Sequence, residues 1–499
     1  MLARSCRIGG ALLASGTAVV LMPGLAEAAG PPVNFGSAQG YATGTTPSAV
    51  ALGDLNGDTK LDLVTANSGD SSVSVLLGNG NGTFGAKTDT TVGSSPAAVA
   101  LGDINGDSKL DIVTANSGDS SVSVLLGNGN GTFSAKTDSA TSTSPRAVAI
   151  GDLSGDGKAD LVTANYSGNN ISVLLGNGNG TFVAKTDYST GTNSGAGGVA
   201  LGDLSGDGKL DVVATNRRLS NASVFLGNGD GTLGTKSDIT TGTTPYMPLI
   251  ADVSGDGKLD LLVTAISASQ VNVFLGNGNG TFTTGASLTS ASTPYWIALA
   301  DVNSDGLTDA VVSCYAGGTG AVSVFLGNGN GTFAAKTDFT SGQRPYNVAL
   351  GDLDADTKPD IAVNVGESGQ NKANVLLNTT ALALSFRSDT LRITPPPVST
   401  FGTPTQYVIH YNTQARITAG QPWGIWAKNW PTGKVTVPFS LNQTVTQCQD
   451  YSGSIATCFR PPTIGDITPG STYVYRVYAY NGTTWSSPST TLTVTRPGT

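Results

Sequence analysis

Between residues 96 and 145 the chain switches repeatedly between apolar runs and polar turns. PAAVALGD (96–103) opens as an alternating stretch, LDIVTAN (110–116) is rich in β-branched residues, and SVSVLLG (121–127) alternates apolar with polar. Period-two patterning bounded by Gly, Asn, Asp and Ser clusters predicts strands. GNGNGTF (127–133) carries Asn-Gly pairs suited to a tight hairpin, because both residues accept positive φ. SAKTDSATSTSP (134–145) then predicts a weaker fourth strand and a loop.

The same unit recurs along the chain, and an acidic nonapeptide between its first two strands marks the period. The copies are DLNGDTKLD (54–62), DINGDSKLD (103–111), DLSGDGKAD (152–160), DLSGDGKLD (203–211), DVSGDGKLD (252–260), DVNSDGLTD (301–309) and DLDADTKPD (352–360). Their first aspartates lie 49, 49, 51, 49, 49 and 51 residues apart. Four strands at a period near fifty predict the blades of a β-propeller.

The two ends of the repeat complement each other. Seven acidic loops are present but only six GNGNGTF-like turns, and the seventh repeat stops at NVLLNTT (374–380) without a fourth strand. The missing piece stands at the front: NFGSAQGYATGTTPSAV (34–50) aligns with TFGAKTDTTVGSSPAAV (83–99), so that Phe35 matches Phe84. An N-terminal strand completing the last blade would close the ring and leave no open sheet edge. The expected architecture is all-β: a seven-bladed β-propeller over 29–382, closed by that strand, followed by a second β domain over 383–499.

The spacing within the acidic loops suits a hard cation. Side-chain oxygens at positions 1, 3, 5 and 9, with the carbonyl of position 7, can wrap one ion, and calcium takes six to eight oxygens in loose geometry. The ligand sets are Asp54, Asn56, Asp58, Lys60 and Asp62; Asp103, Asn105, Asp107, Lys109 and Asp111; Asp152, Ser154, Asp156, Lys158 and Asp160; and Asp203, Ser205, Asp207, Lys209 and Asp211. The last three are Asp252, Ser254, Asp256, Lys258 and Asp260; Asp301, Asn303, Asp305, Leu307 and Asp309; and Asp352, Asp354, Asp356, Lys358 and Asp360. Without a cation the carboxylates of each loop would repel, a cost that a plain hairpin avoids. Up to seven Ca2+ ions are expected; magnesium, which demands stricter octahedral geometry, is the second candidate.

Loop, strand, GNGNGTF turn and Pro-containing loop together resemble the FG-GAP/VCBS repeat, which builds the calcium-bearing seven-bladed propeller of integrin α chains and of many secreted bacterial proteins. The resemblance covers roughly 33–380 and implies a secreted binding or adhesion module. Thr59, Ser108 and Thr357 depart from the glycine common at position 6, and Pro359 enters the last loop.

After Leu384 the repeat is gone, and TPPPV (394–398) reads as a stiff boundary. ITPGSTYVYRVYAYNGTTWSSPSTTLTVT (467–495) resembles the last two strands of a fibronectin type III domain, with Tyr473 at the place of the corner tyrosine. An Ig- or fibronectin-like β-sandwich is therefore expected there. Trp423, Trp426, Trp430 and Trp485 crowd this domain; core packing is the commoner role for them, a sugar platform the other.

Composition narrows the setting. Arg4 and Arg7 precede the apolar run IGGALLASGTAVVLMPGL, which ends at Ala26-Glu27-Ala28. That order predicts a secretory signal peptide over 1–28 and a secreted or cell-surface destination. Cys448 and Cys458 would pair as a disulfide in an oxidising compartment. Cys314, in a strand-like run, reads as a buried free thiol. The formal charge is −9, and removing Arg4, Arg7 and Glu27 leaves −10. Of the 33 aspartates, 22 sit in the seven acidic loops, so the acidity belongs to local sites. No nucleic-acid partner and no membrane span are expected.

Catalytic residue types are scarce. His410 is the sole histidine, in an alternating strand, and Glu367 is the only glutamate beyond the signal. Histidine-dependent chemistry would rest on one residue, and a glutamate pair for glycoside hydrolysis is absent. The expectation is a non-enzymatic binding or adhesion module for an extracellular glycan or protein. The alternatives are a secreted polysaccharide-acting lyase or hydrolase, and a cell-surface spacer.

Where the ligand would bind follows from where the repeats differ. In an up-and-down blade the acidic loops and GNGNGTF turns share one face, and these are nearly uniform. The opposite face carries Arg146, Tyr166, Arg217, Arg218, Tyr246, Tyr295, Trp296, Tyr315, Arg344 and Tyr346, whereas the early blades show SGDS and SSPA there. Arg, Tyr and Trp are the side chains that anchor interfaces, so these ten form the candidate ligand face.

Overall fold

A computed structural model describes residues 33–315, 320–366 and 369–380, together with strand segments between 384 and 495. The described residues contain no α-helix. Seven antiparallel sheets follow one another along the chain. Blade 1 runs Pro47–Gly53, Asp62–Asn67, Ser72–Leu76 and Thr88–Thr91, from the ring axis outward. Blades 2, 3, 4 and 6 repeat this order, starting at Pro96, Pro145, Ala196 and Pro294. In blade 5, from Pro245, the outer strand is split into Phe282–Thr284 and Leu288–Thr289.

Blade 7 is composite. Pro345–Gly351, Asp360–Val365 and Lys372–Leu376 supply three strands, and Gln39–Ala42 pairs antiparallel with the third, Tyr41 opposite Ala373. Phe35 is buried and meets Phe339 edge-on at 5.1 Å, repeating the Phe84–Tyr41 contact of the next interface, also 5.1 Å. The expected match of Phe35 to Phe84 therefore holds in three dimensions. The first strands neighbour one another in a closed circuit, blade 7 against blade 1 included.

Burial explains the strand pattern. In blade 1 the second and third strands are buried along their whole length, while Thr88–Thr91 is mostly exposed. Each middle strand is covered on both faces by neighbouring blades, and each of the seven interfaces has its own apolar cluster, such as Val50, Leu63 and Leu76 against Leu353, Ala362 and Val375.

The alternation in SVSVL therefore separates two buried environments; it does not separate core from water. The hydroxyl side is kept polar by a chain of bonds. Asn67 Nδ2 donates to Ser72 Oγ (3.0 Å) and Ser74 Oγ (2.9 Å), and Ser74 donates to Asp89 Oδ1 (2.6 Å). Buried polar groups require such partners. The network recurs in blades 2 to 4 through Asn116, Asn165 and Asn216. Cys314 takes the asparagine's place in blade 6, buried and unpaired, 3.4 Å from Ser323 Oγ.

The expected signal peptide, 1–28, lies outside the described residues, as do Cys458 and its expected pairing with Cys448. In the C-terminal region Gln406–Thr413 is flanked by Gly424–Asn429 and Thr472–Tyr480, and the latter pairs with Leu492–Thr495. The expected sandwich of these strands, with its side chains, lies outside the described residues. No helix of the described residues is long and apolar enough to cross a membrane.

Candidate functional site

On one face each acidic loop leaves the first strand and returns into the second. Asp54 accepts the backbone N–H groups of Gly57 (2.7 Å) and Thr59 (2.8 Å), curling the loop around its own carboxylate. Asn56 Oδ1 accepts from Asp58 N (2.9 Å), and Asp58 Oδ1 from Lys60 N (3.0 Å). Position 6 requires a left-handed backbone: Gly157, Gly208 and Gly257 have φ of 80, 83 and 82° there, and Thr59, Ser108 and Thr357 adopt 68, 64 and 71°. The missing glycine thus leaves the loop's path unaltered, and its cost is local backbone strain.

The ninth-position aspartate is the loop's anchor. Asp62 is fully buried, accepting from Leu55 N (2.9 Å) at one oxygen and from Gly78 N (2.7 Å) at the other. It thereby fastens the loop to the GNGNGTF turn of the same blade. Asp111, Asp160, Asp211, Asp260 and Asp309 do the same, and Asp360 binds Leu353 N and Asn378 N. Burial raises the pKa of Asp62, Asp111 and Asp211, with nearby carboxylates adding to it. Burial raises Asp309 and Asp360 to about 7.

The donor set fits a hard cation. It consists of carboxylate, amide, hydroxyl and carbonyl oxygens, and in the seventh loop ligand oxygens of Asp352, Asp354 and Asp356 all lie within 4.8 Å of one another. Each Oδ1 of the buried ninth-position aspartates accepts one amide and keeps a lone pair, whereas Oδ2 of Asp160, Asp211 and Asp260 accepts two amides. The structure adds a feature that the sequence reading assigned only to a carbonyl. The Lys60 ammonium lies 3.2 Å from Asp58, and Lys109, Lys158, Lys209, Lys258 and Lys358 pair equivalently, leaving Leu307 as the exception.

On the opposite face nine of the ten candidate ligand residues form one continuous belt. Arg146 and Arg217 lie 5.5 and 5.4 Å from the Tyr166 ring centre, and Arg218 lies 4.4 Å from it. Arg217 continues to Tyr246 at 4.8 Å, and Tyr246 meets Tyr295 edge-on at 5.2 Å. Tyr295 touches Tyr346 (5.0 Å) and Tyr315 (5.4 Å), and Arg344 lies over Tyr315 at 5.3 Å. Burial raises the phenol pKa of Tyr246, with Arg217 drawing it back, and burial also raises Tyr295 and Tyr346.

The belt is seated in gaps left by glycine. A Cβ on Gly197 would stand 2.6 Å from Arg217 Cδ, and one on Gly366 would stand 2.9 Å from the Tyr346 ring. Sequence reading missed these seats, although the run SGAGG (194–198), where other blades carry a proline, was the available signal. The corresponding first-strand positions of blades 1 and 2 hold only Ser48 and Ala97.

Trp296 stands apart from the other nine. It packs against the core between blades 6 and 7, beside Val302, Val311 and Val348, while its neighbour Tyr295 joins the belt. Alternation along the strand sends consecutive residues to opposite sides. The expectation that both face the ligand is corrected for Trp296.

Ring closure, repeated acidic loops and the four-strand period define a seven-bladed repeat propeller. The FG-GAP-like repeat model matches residues 54–114, 103–163, 152–214, 205–263, 252–312 and 311–363, and the chain belongs to that family. Among solved structures it is similar to the BBS1N chain in complex with ARL6DN, soaked with mercury, at a TM-score of 0.50 and 15% identity over 69% of this chain and 96% of that one. An Agrocybe aegerita lectin, described as specifically recognising non-reducing terminal N-acetylglucosamine, matches at 0.44 and 21% identity over 60% and 81%. A functionally unknown protein from Desulfotomaculum acetoxidans matches at 0.47 and 12% over 68% and 96%. At 15% identity the first of these likenesses shows the fold alone. No curated protein matches the sequence.

Proposed function

We propose that the chain is a secreted binding or adhesion module, and that its ligand, an extracellular glycan or protein, docks on the face opposite the acidic loops. The observation that carries this reading is the belt from Arg146 to Arg344, which crosses blades 3 to 7 while blades 1 and 2 keep serine and alanine at the matching places. A spacer would gain nothing from concentrating Arg and Tyr on one arc of an otherwise uniform ring. Rigid scaffolds commonly carry binding residues on variable loops.

Calcium in this reading is the scaffold's stiffener. The Asp, Asn and Ser side chains of the loops and the position-7 carbonyls would hold it, and it would neutralise carboxylates that otherwise crowd one another. It lies on the face away from the belt and touches no ligand. The test is a screen of the mature protein against glycans and matrix proteins, run with calcium and with chelator. Binding that Tyr346→Ala or Arg217→Gln weakens supports the module. Binding carried wholly by a 383–499 fragment would transfer the function to the C-terminal domain and leave the propeller as spacer.

A further inference from the structure

The arginine end of the belt has an electrostatic imbalance. Arg146, Arg217 and Arg218 all surround the single ring of Tyr166. None of the ion pairs among the described residues engages them; Arg218 instead donates to Asn193 Oδ1 at 2.9 Å. The Nε atoms of Arg146 and Arg217 are closed off from solvent without a hydrogen-bond acceptor. The connecting segments of this face in blades 3 to 6 contain no Asp or Glu, whereas Asp70 and Asp119 occupy it in blades 1 and 2. Three guanidinium groups gathered without a counter-charge cost free energy, even with ring faces to lie on.

We propose that Arg146, Arg217 and Arg218 form an anion site for an acidic glycan, a sugar ring carrying a carboxylate or sulfate ester. This rests on the reading of the belt as the ligand face and names the ligand's class. A guanidinium offers a planar fork of donors that matches a carboxylate or sulfate through paired hydrogen bonds. Tyr246, next along the belt, supplies an aromatic surface beside the fork. The connecting segments 140–145, 166–170 and 189–196 are rich in serine, threonine and asparagine, whose hydroxyl and amide groups suit sugar hydroxyls, and Asn193 of the last already meets Arg218.

A glycan fits this face better than an acidic peptide does. Protein partners bury an apolar centre, and the exposed large hydrophobic residues of the described chain are only Val183, Leu219 and Leu226, of which Leu219 alone is on this face. The formal charge of −9 opposes general adhesion to polyanions. Binding of an acidic glycan therefore has to come from this local cluster.

The test is calorimetric titration of the calcium-loaded protein with four probes: polygalacturonate, dextran sulfate, neutral dextran and poly-glutamate. Polygalacturonate or dextran sulfate should bind, neutral dextran should not, and whichever of the two acidic glycans binds identifies the anion. Affinity should fall at least tenfold between 50 and 300 mM salt, as screening of charge contacts requires. Arg217→Gln should weaken binding at least tenfold. Arg218→Gln, at an exposed residue whose loss cannot threaten the fold, should weaken it severalfold.

Absence of binding to both acidic glycans, or binding unchanged in Arg217→Gln and Arg218→Gln, overturns the proposal. Poly-glutamate binding as well as the glycans reassigns the cluster to acidic peptides and overturns the glycan assignment. If neutral glycans or a matrix protein bind and Tyr346→Ala weakens them, the belt remains the ligand face and only the anion site fails.

Discussion

The side-chain amide of Asn378 donates to the backbone carbonyl of Val302 over 2.7 Å. In other blades that carbonyl, at the second position of the preceding acidic loop, is taken by a turn glycine: Gly82 N donates to Leu353 O (2.8 Å), and Gly131 N to Leu55 O (3.0 Å). Blade 7 lacks the GNGNGTF turn, and one asparagine side chain reproduces its inter-blade bond. Asn378 N meanwhile donates to Asp360 Oδ1 at 2.6 Å, the role of Gly78 at Asp62. Asn378→Ala would leave the Val302 carbonyl buried without this donor, at a cost of about 1–3 kcal/mol. Its melting temperature should drop by a few degrees in calorimetry. Deleting residues 33–45 should do far more, exposing the edge of Lys372–Leu376 and causing aggregation visible by size-exclusion chromatography.

Calcium removal should destabilise the ring. A ligand that binds only the folded state adds stability by mass action, about 2.7 kcal/mol per site at a hundredfold excess over Kd. Chelator should therefore lower the melting temperature clearly, and elemental analysis of the untreated protein should find several calcium ions per chain. Asp207→Ala should reduce that count with modest loss of stability. Asp211→Ala should cost more, because it also removes the acceptor for Leu204 N and Gly227 N. An unchanged melting curve without metal would contradict the calcium assignment.

Metal-free protein should lose stability as pH rises. Asp309 and Asp360 ionise at about 7 in the fold, against an ordinary aspartate value near 3.9 in the unfolded chain. Between these values the folded state binds more protons, so the stabilisation present below about pH 4 disappears as pH climbs to about 7. Melting of dialysed, metal-free protein should occur at lower temperature at pH 7.5 than at pH 5. Saturating calcium requires ionised carboxylates and should reverse the trend.

Neighbouring Tyr295 and Trp296 should separate cleanly by mutation. Trp296→Ala removes packing between blades 6 and 7 and should cost roughly 3 kcal/mol, read as a lower melting temperature. Tyr346→Ala and Tyr295→Ala should weaken ligand binding with smaller changes in melting. Equal effects of all three on stability alone would remove the belt from function.

Cys314 should be inert to a thiol reagent in the native protein and react once on unfolding. Its thiol is buried, and burial raises its pKa, which suppresses the reactive thiolate.

Much of the ring was legible in one dimension. A four-strand period near fifty, seven acidic loops and the complementary ends at Phe35 and Asn378 require little beyond pairing rules to predict seven blades and their closure. Strand alternation and turn chemistry are local, set by neighbouring residues and the allowed backbone angles, so linear text records them. Even Arg217 and Tyr346 stood out, as departures from a repeat. What linear text could not record was which departures meet. Arg146, Arg217 and Tyr246 belong to three blades, and only the rotation of each blade about a common axis brings Arg146 and Arg217 to Tyr166 and Arg217 on to Tyr246. The same rotation covers both faces of Ser72–Leu76, turning an apparent in–out pattern into a buried hydrogen-bond network. Trp296 was lost to the core because bound neighbours, and not its own polarity, decide which side of a strand faces water. Propensity and period act along the chain; burial and charge balance act across it, and these assigned the residues their roles.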